Sequence, residues 1–253
     1  QAMSDSEVSL GPPSSILALL EMRALIEYLG AMAAMPLLDS LLPRGDCHPV
    51  IVVPGFMGTG KSTLKLRRTL AMLGYQAFDW RLGRNIGPVG QVEDQLLRRV
   101  AQVCDRTGNK PTLIGWSLGG IYARILAHRA PDSIRSIITL GSPVRFPHRS
   151  TADKLYQRIS GQLEHPEHLN HIAAAPPVPA SAIYTRLDGI VNWRACLAEQ
   201  GALAENIRVY GSHCGLGHQP LVLWLIAERL AQPADQWQRF SWRRALQGLQ
   251  ALA

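Results

Sequence analysis

The sequence predicts an α/β fold: a mainly parallel sheet covered by helices, with an N-terminal helical arm and a short lid insertion. Two observations lead there. From residue 49 onward, short apolar runs of strand character alternate with longer helical runs. Two of the resulting strand-to-helix turns, Pro54 to Ser62 and Gly115 to Gly120, are rich in glycine, as ligand-facing turns at strand ends often are. The composition agrees. The 253 residues are 47% apolar and 18% charged, which supplies a sizeable core and excludes global disorder. No run of about 18 apolar residues is free of charge, so no spanning helix is expected. Four cysteines are too few for a disulfide scaffold.

Ser14-Ser15 can cap a first helix starting near Ile16. Ile16, Leu19, Leu20, Ala24 and Ile26 give it an apolar face, and Gly30 is expected to interrupt it. A weakly charged stretch then runs to Leu42, and Pro43-Arg44-Gly45-Asp46 turns the chain. Residues 1–46 therefore read as an arm packed on the domain body, with contact to a membrane surface as the alternative.

Val50-Ile51-Val52-Val53 is a short buried strand, followed by a helix from about Gly60 to Leu73 and a strand from Tyr75 to Trp80. Gln91 to Arg106 is helical, with Val92, Leu96, Val100 and Val103 on one face. Thr112 to Trp116 is a strand, Gly119 to Arg129 a helix and Ser136 to Leu140 a strand. Residues 147–179 break the rhythm with His165-Pro166-Glu167-His168 and Ala175-Pro176-Pro177-Val178-Pro179, which marks a candidate lid. Strand signals return at Ser181 to Tyr184 and Ile207 to Tyr210, and Pro220 to Leu230 is the last helix. One domain over residues 1–253 is expected.

Two motifs compete for the active site. Gly115-Trp116-Ser117-Leu118-Gly119 matches G-x-S-x-G between a strand and a helix, where a sharp turn exposes the serine hydroxyl and glycines allow close approach. Gly55-Phe56-Met57-Gly58-Thr59-Gly60-Lys61-Ser62 matches G-x-x-x-x-G-K-[ST], in which backbone N–H groups would cradle phosphates, Lys61 would pair with them and Ser62 would hold Mg²⁺. That chemistry wants an aspartate ending a second buried strand. Asp79 follows a run that Gln76 spoils, and Asp188 offers no better.

The serine reading finds partners. Asp188 lies after a strand, and His213 follows the next strand 25 residues later. The order Ser, Asp, His at strand ends suits a nucleophile, an orienting acid and a base. His218 lies in the same loop but resembles a helix start, so His213 is the expected base.

These pieces resemble the α/β-hydrolase superfamily, within it the lipase and esterase branch. The resemblance rests on Val53-Pro54-Gly55-Phe56, Gly115 to Gly120, Leu140-Gly141-Ser142-Pro143, Asp188-Gly189-Ile190-Val191 and Ser212-His213, across roughly residues 49–230. It implies a serine hydrolase cleaving carboxylic esters through an acyl-enzyme. Ser117 would be the nucleophile, Asp188 and His213 its partners, and the N–H groups of Phe56 and Leu118 the oxyanion hole. It also assigns Gly55-Phe56 to the loop after the third sheet strand, with Lys61-Ser62 opening the next helix. Pro54 and Trp116 depart from the pattern, standing where many members carry histidine. Thioesterase or acyltransferase chemistry on the same residues, and phosphate binding at Gly55 to Ser62, are the alternatives.

No metal or organic cofactor is expected. His165, His168 and His171 drift around a helix and read as lid surface. The net charge of +7 comes mostly from scattered arginines, with lysine only at Lys61, Lys65, Lys110 and Lys154, so no nucleic-acid partner is expected. The expected substrate is a small or lipid-like ester. Acidic Asp5 and Glu7 near the start do not fit a secretory leader, and a cytoplasmic location is expected. Cys196 and Cys214 flank the acid and base segments; a bridge there would brace both, while buried free thiols are the usual alternative.

Overall fold

A computed structural model describes residues 10–87, 92–145, 150–161, 172–233 and 236–243. Its sheet has six strands: β1 (Pro49–Val53), β2 (Gln76–Asp79), β3 (Thr112–Trp116), β4 (Ser136–Leu140), β5 (Ala180–Thr185) and β6 (Ala204–Val209). They lie in the order β2-β1-β3-β4-β5-β6, and every neighbouring pair is parallel. The chain steps from β1 outward to β2, then crosses back to place β3 on the other side of β1. The strand order therefore reverses between β1 and β3, and a crevice opens beyond their carboxyl ends.

Alternation along the strands divides the core in two. Ile51, Val53, Leu113 and Ile137 face one layer, packed on α4 (Val92–Thr107) and α5 (Leu118–Arg129). Val50, Val52, Ile114 and Ile138 face the other, packed on α3 (Leu64–Met72) and α7 (Pro220–Leu230). This is why β1 reads as an uninterrupted apolar run, buried at all five residues. The edge strand β2 is only partly covered and tolerates Gln76. Of the proposed insertion, residues 150–161 and 172–179 are described and include the amphipathic helix α6 (Asp153–Ser160). His165, His168 and His171 lie outside the described residues.

Three expectations change. The helix expected from Gly60 starts at Leu64, because Thr59 to Ser62 close tight turns through Ser62 N–H to the Thr59 carbonyl and Leu64 N–H to the Lys61 carbonyl. The Gly55-Phe56 loop follows the first described strand rather than a third. The arm is broken at a 3₁₀ turn, Glu21–Arg23, between α1 (Ser15–Leu20) and α2 (Ala24–Leu41), and Gly30 lies within α2. Ser14 does cap α1, its hydroxyl accepting from Leu17 N–H at 3.4 Å.

The orientation of the arm is the larger correction. Many of its large apolar side chains between Ile16 and Met32 point outward: Ile16 is 72% exposed, Met22 78% and Ile26 73%. Its inward side carries Leu17, Ala18, Glu21, Arg23 and Glu27. The arm is docked on the body by its polar face, through hydrogen bonds to the loops that follow β5 and β6.

Candidate active site

Ser117 stands between β3 and α5 with φ 52° and ψ −120°. A non-glycine residue in this region carries strain of order 1–3 kcal/mol, held here by the packing around it. Ser117 N–H donates to the Leu140 carbonyl at 2.8 Å, and Gly120 N–H returns to the Ser117 carbonyl at 2.9 Å. The flanking glycines make the turn possible. A Cβ on Gly115 would overlap Gly119 and Gly120, and one on Gly119 would overlap the Val53 carbonyl of β1. A Cβ on Gly120 would overlap Ser142 Oγ, so buried Ser142 is a packing partner of this turn.

Asp188 is 2% exposed, and its two oxygens divide their work. Oδ1 accepts from Ile190 N–H at 2.9 Å and Val191 N–H at 2.7 Å, which folds the loop around the carboxylate. Oδ2 meets His213 Nδ1 at 2.6 Å. That leaves the other ring nitrogen, Nε2, for a further partner. Burial works to lower the His213 pKa, but the charge and hydrogen bond of Asp188, followed by the charge of Glu21, outweigh it and raise the pKa above its usual value. Gly141, at φ 56°, leaves room for the ring: a Cβ there would come within 3.0 Å of Nδ1. This accounts for Leu140-Gly141-Ser142-Pro143, whose glycine clears the imidazole and whose serine supports the Ser117 turn.

Ser117, Phe56, Leu118 and His213 line one cavity of about 300 Å³, beyond the carboxyl ends of β1 and β3. Its walls are mainly apolar, with Ile121, Tyr156, Ile190 and Val191 among them. Gly55 brings the loop after β1 against the serine; a Cβ on it would lie 3.2 Å from Ser117 Cβ. The structure thus brings together all five residues singled out in the sequence. Leu118 heads α5, where a first-turn N–H has no intrahelical acceptor.

Several supports carried no readable signal in the sequence. Asn85 is 1% exposed and grips the Phe56 loop on both sides. Its side chain donates to the Pro54 carbonyl at 2.7 Å, its carbonyl accepts from Met57 N–H at 2.7 Å, and its N–H donates to the Gly58 carbonyl at 2.8 Å. Tyr122 Oη donates to Asn85 Oδ1 at 3.3 Å. Trp116 also gains a role, its indole N–H donating to the His213 carbonyl at 3.2 Å. Tyr156 of α6 stands edge-on to Phe56 at 5.3 Å between ring centroids.

The competing candidates have other surroundings. His218 stands edge-on to Tyr28, with Nε2 3.3 Å from the Ala24 carbonyl, so it packs the arm. Lys61 is exposed, and the helix after this run begins only at Leu64, so Lys61 and Ser62 stand in turns before it rather than opening it. Cys196 and Cys214 are free thiols, as are Cys47 and Cys104. Among the described residues no group of three or more His, Cys, Asp and Glu gathers as a metal site, and no helix is long and apolar enough to cross a membrane.

Serine, carboxylate and imidazole come to this crevice from the ends of β3, β5 and β6, the place where open α/β sheets present ligand-facing loops. A family profile described as the alpha/beta hydrolase fold matches residues 48–177, just over half of the sequence, and the chain belongs to that family. Its similarity runs to the lipase and esterase branch. It is 36% identical over 108 residues to a triacylglycerol lipase of Pseudarthrobacter phenanthrenivorans, covering 39% of this chain and 34% of that protein. A triacylglycerol lipase of Burkholderia plantarii gives 36% over 108 residues and 30% of its length. The matched part is thus about a third of either relative. Among solved structures, lipase B of Aspergillus fumigatus superposes with a TM-score of 0.59 at 15% identity, over 73% of this chain and 52% of that one. A structure from the work on the metagenome-derived lipolytic enzymes LipS and LipT gives 0.55 at 16%, over 74% and 93%. At these identities the superpositions speak for the fold.

Proposed function

We propose that the protein is a serine hydrolase of carboxylic esters acting through an acyl-enzyme. The observation that carries this reading is Ser117 on its strained turn, sharing a cavity with an imidazole whose Nδ1 is held by a buried carboxylate. In the first step Ser117 Oγ attacks the ester carbonyl while His213 Nε2 takes its proton. The imidazolium is stabilised by Asp188, with Nδ1–H directed at Oδ2. Negative charge gathers on the former carbonyl oxygen, and the N–H groups of Phe56 and Leu118 receive it. Each such donor is worth about 3 kcal/mol in the barrier. Collapse of the intermediate breaks the ester C–O bond as His213 returns its proton to the departing alcohol. Water, deprotonated by His213, then attacks the acyl-serine, and the acid leaves as Ser117 recovers its proton. The residues act without a metal or organic cofactor.

The apolar walls and the cavity of about 300 Å³ support an acyl chain of modest length, at the small end of ligand pockets. The relatives named as triacylglycerol lipases support a lipid-like ester. In this reading α6, whose Tyr156 faces the cavity, belongs to a lid over residues 147–179, and the outward apolar side of the arm offers peripheral contact with lipid.

Labelling with a fluorophosphonate, followed by turnover of p-nitrophenyl esters of increasing chain length, tests the reading. Folded Ser117→Ala is expected to lose labelling and at least about a thousandfold in ester turnover. Undiminished labelling of that variant would sink it.

A further inference from the structure

Three side chains on the inward face of the arm hold the two loops that carry Asp188 and His213. Glu21 Oε1 accepts from Gly189 N–H at 2.8 Å and from His213 N–H at 2.9 Å, and Oε2 accepts from Cys214 N–H at 3.0 Å. Arg23 Nη2 donates to the Leu187 carbonyl at 2.8 Å and the Gly211 carbonyl at 3.0 Å. Glu27 accepts from Ser212 N–H at 2.9 Å and from Ser212 Oγ at 2.6 Å, and Arg23 Nε lies 3.3 Å from its carboxylate. Glu21 and Arg23 therefore each touch both loops, the one after β5 and the one after β6.

The loops are shaped to receive them. A Cβ on Gly189 would overlap the Leu17 carbonyl of the arm, and one on Gly215 would overlap the Glu27 carboxylate. A helix serving only as packing would turn its apolar side inward, since burying carboxylates costs desolvation. Here the apolar side faces out, and the charged side is directed at backbone donors. Partial burial alone would raise the Glu21 pKa, yet the N–H groups of Cys214, His213 and Gly189, with the charge of His213, hold it below the ordinary carboxylate value.

We infer that Glu21 is a positioning residue of the active site, with Arg23 and Glu27 supporting it: the arm fixes the distance and angle between the Asp188 and His213 loops. This rests on the proposed roles of Ser117, Asp188 and His213. The acid and base loops end neighbouring strands but share few bonds of their own, among them Thr185 Oγ1 to the Gly211 carbonyl at 3.0 Å and Asp188 to His213 itself. Glu21 supplies a further bridge through the backbone N–H of His213, the residue that carries the working imidazole. The charged and titratable groups around that ring are Asp188 on its own side of the sheet, Cys214 in its loop, and Glu21, Arg23 and Glu27 from the arm.

The test uses the full chain and its Glu21→Gln and Glu21→Asp variants. With a short p-nitrophenyl ester, Glu21→Gln is expected to lose roughly ten- to a hundredfold in kcat with KM within about threefold. Its acid limb should move to lower pH, because one of the charges that favour the His213 imidazolium is gone. Glu21→Asp keeps that charge on a shorter stem, so its acid limb should stay near the parent's while kcat remains reduced. Wild-type kcat and an unmoved acid limb in folded Glu21→Gln would overturn the proposal. Amide exchange on the parent protein gives a reading that needs no variant to fold. The Gly189, His213 and Cys214 N–H groups should be protected, and fast exchange of all three would also overturn it. Fluorophosphonate labelling of Ser117→Ala tests the triad separately. Labelling retained there overturns the triad reading, whereas the exchange experiment reports on the arm without reference to catalysis.

Discussion

His218 stands five positions after His213, and their surroundings pull their acid–base behaviour apart. The Asp188 carboxylate and the more distant Glu21 raise the His213 pKa against the effect of burial. For His218 burial wins and lowers the pKa, and its ring is occupied with Tyr28 and the Ala24 carbonyl. A general base works when neutral, so kcat/KM should rise as the pH passes upward through the His213 pKa, above the ordinary 6.5. His213→Ala should lose at least about a thousandfold in kcat, and His218→Ala less than about twentyfold through the arm contact alone. Steady-state ester hydrolysis on both folded variants checks this; the reverse ranking would move the base to His218. The sequence already favoured His213, because a position just after a strand is fixed by the sheet. It gave no sign of Glu21, whose partners are backbone N–H groups distant in the chain.

The key contact between elements is the approach of α5 to β1 and β3. Ten consecutive residues of α5, Leu118 to Ala127, are buried, so this helix has no solvent face into which it can retreat. Gly119 meets the Val53 and Pro54 carbonyls, which are backbone and cannot rotate aside. Alanine at a helical glycine gains about 1 kcal/mol in propensity, but overpacking against rigid backbone costs typically 1–3 kcal/mol and sometimes more. Gly119→Ala should therefore show a net loss of about 2 kcal/mol, seen as a lower urea midpoint at unchanged slope. An unchanged midpoint would mean that α5 can slide. It should also lose activity, since the same shift moves Ser117. The buried strands and α5 were legible as elements because residues covered on both sides must be apolar. The arm was legible as helix, but the face by which it docks was not. Ile16, Leu19 and Ile26 form a convincing apolar face, and only the carbonyl and amide groups of the two loops explain why the opposite face docks.

Across the whole molecule, the sheet is closed off at its β6 edge by a buried ionic cluster. Glu205 and Arg229 are each 6% exposed. Glu205 Oε1 accepts from Arg229 Nη1 at 3.0 Å and from Ser181 Oγ at 2.6 Å, while Oε2 accepts from Phe240 N–H at 2.6 Å. Arg229 also donates to the Gln238 carbonyl at 2.7 Å and pairs with Glu228. One carboxylate thus ties β5, β6, α7 and the segment after α7 together. Removing one partner of a buried pair costs about 3–5 kcal/mol. Arg229 keeps Glu228, so Glu205→Ala should fall near the lower end, about 3 kcal/mol. Thermal or urea unfolding measures it, and a loss below about 1 kcal/mol would show that Glu228 alone satisfies the arginine. Ser181 and Glu205 stand near the amino ends of β5 and β6, away from the Ser117 cavity at the carboxyl ends, so the ester kcat of the folded variant should hardly change.

The sequence by itself determined the strands, the covering helices, the turn that carries Ser117 and the chain order of the three candidate residues. All of these follow from local chemistry: apolar runs where both faces are buried, glycines where backbones meet, and polar residues at strand ends. Tertiary structure alone decided which side of the arm faces the body, that Asn85 and Tyr122 brace the Phe56 loop, and that Gly141 makes room for the imidazole. It also separated two glycine-rich turns that read alike as strings of letters. One carries Ser117 toward an imidazole, while the other passes through tight turns to a helix that begins only at Leu64. The physical reason is the same in each case. A hydrogen bond or a steric limit between residues far apart in the chain leaves no periodicity in the sequence, because backbone amides and carbonyls are supplied by every residue type.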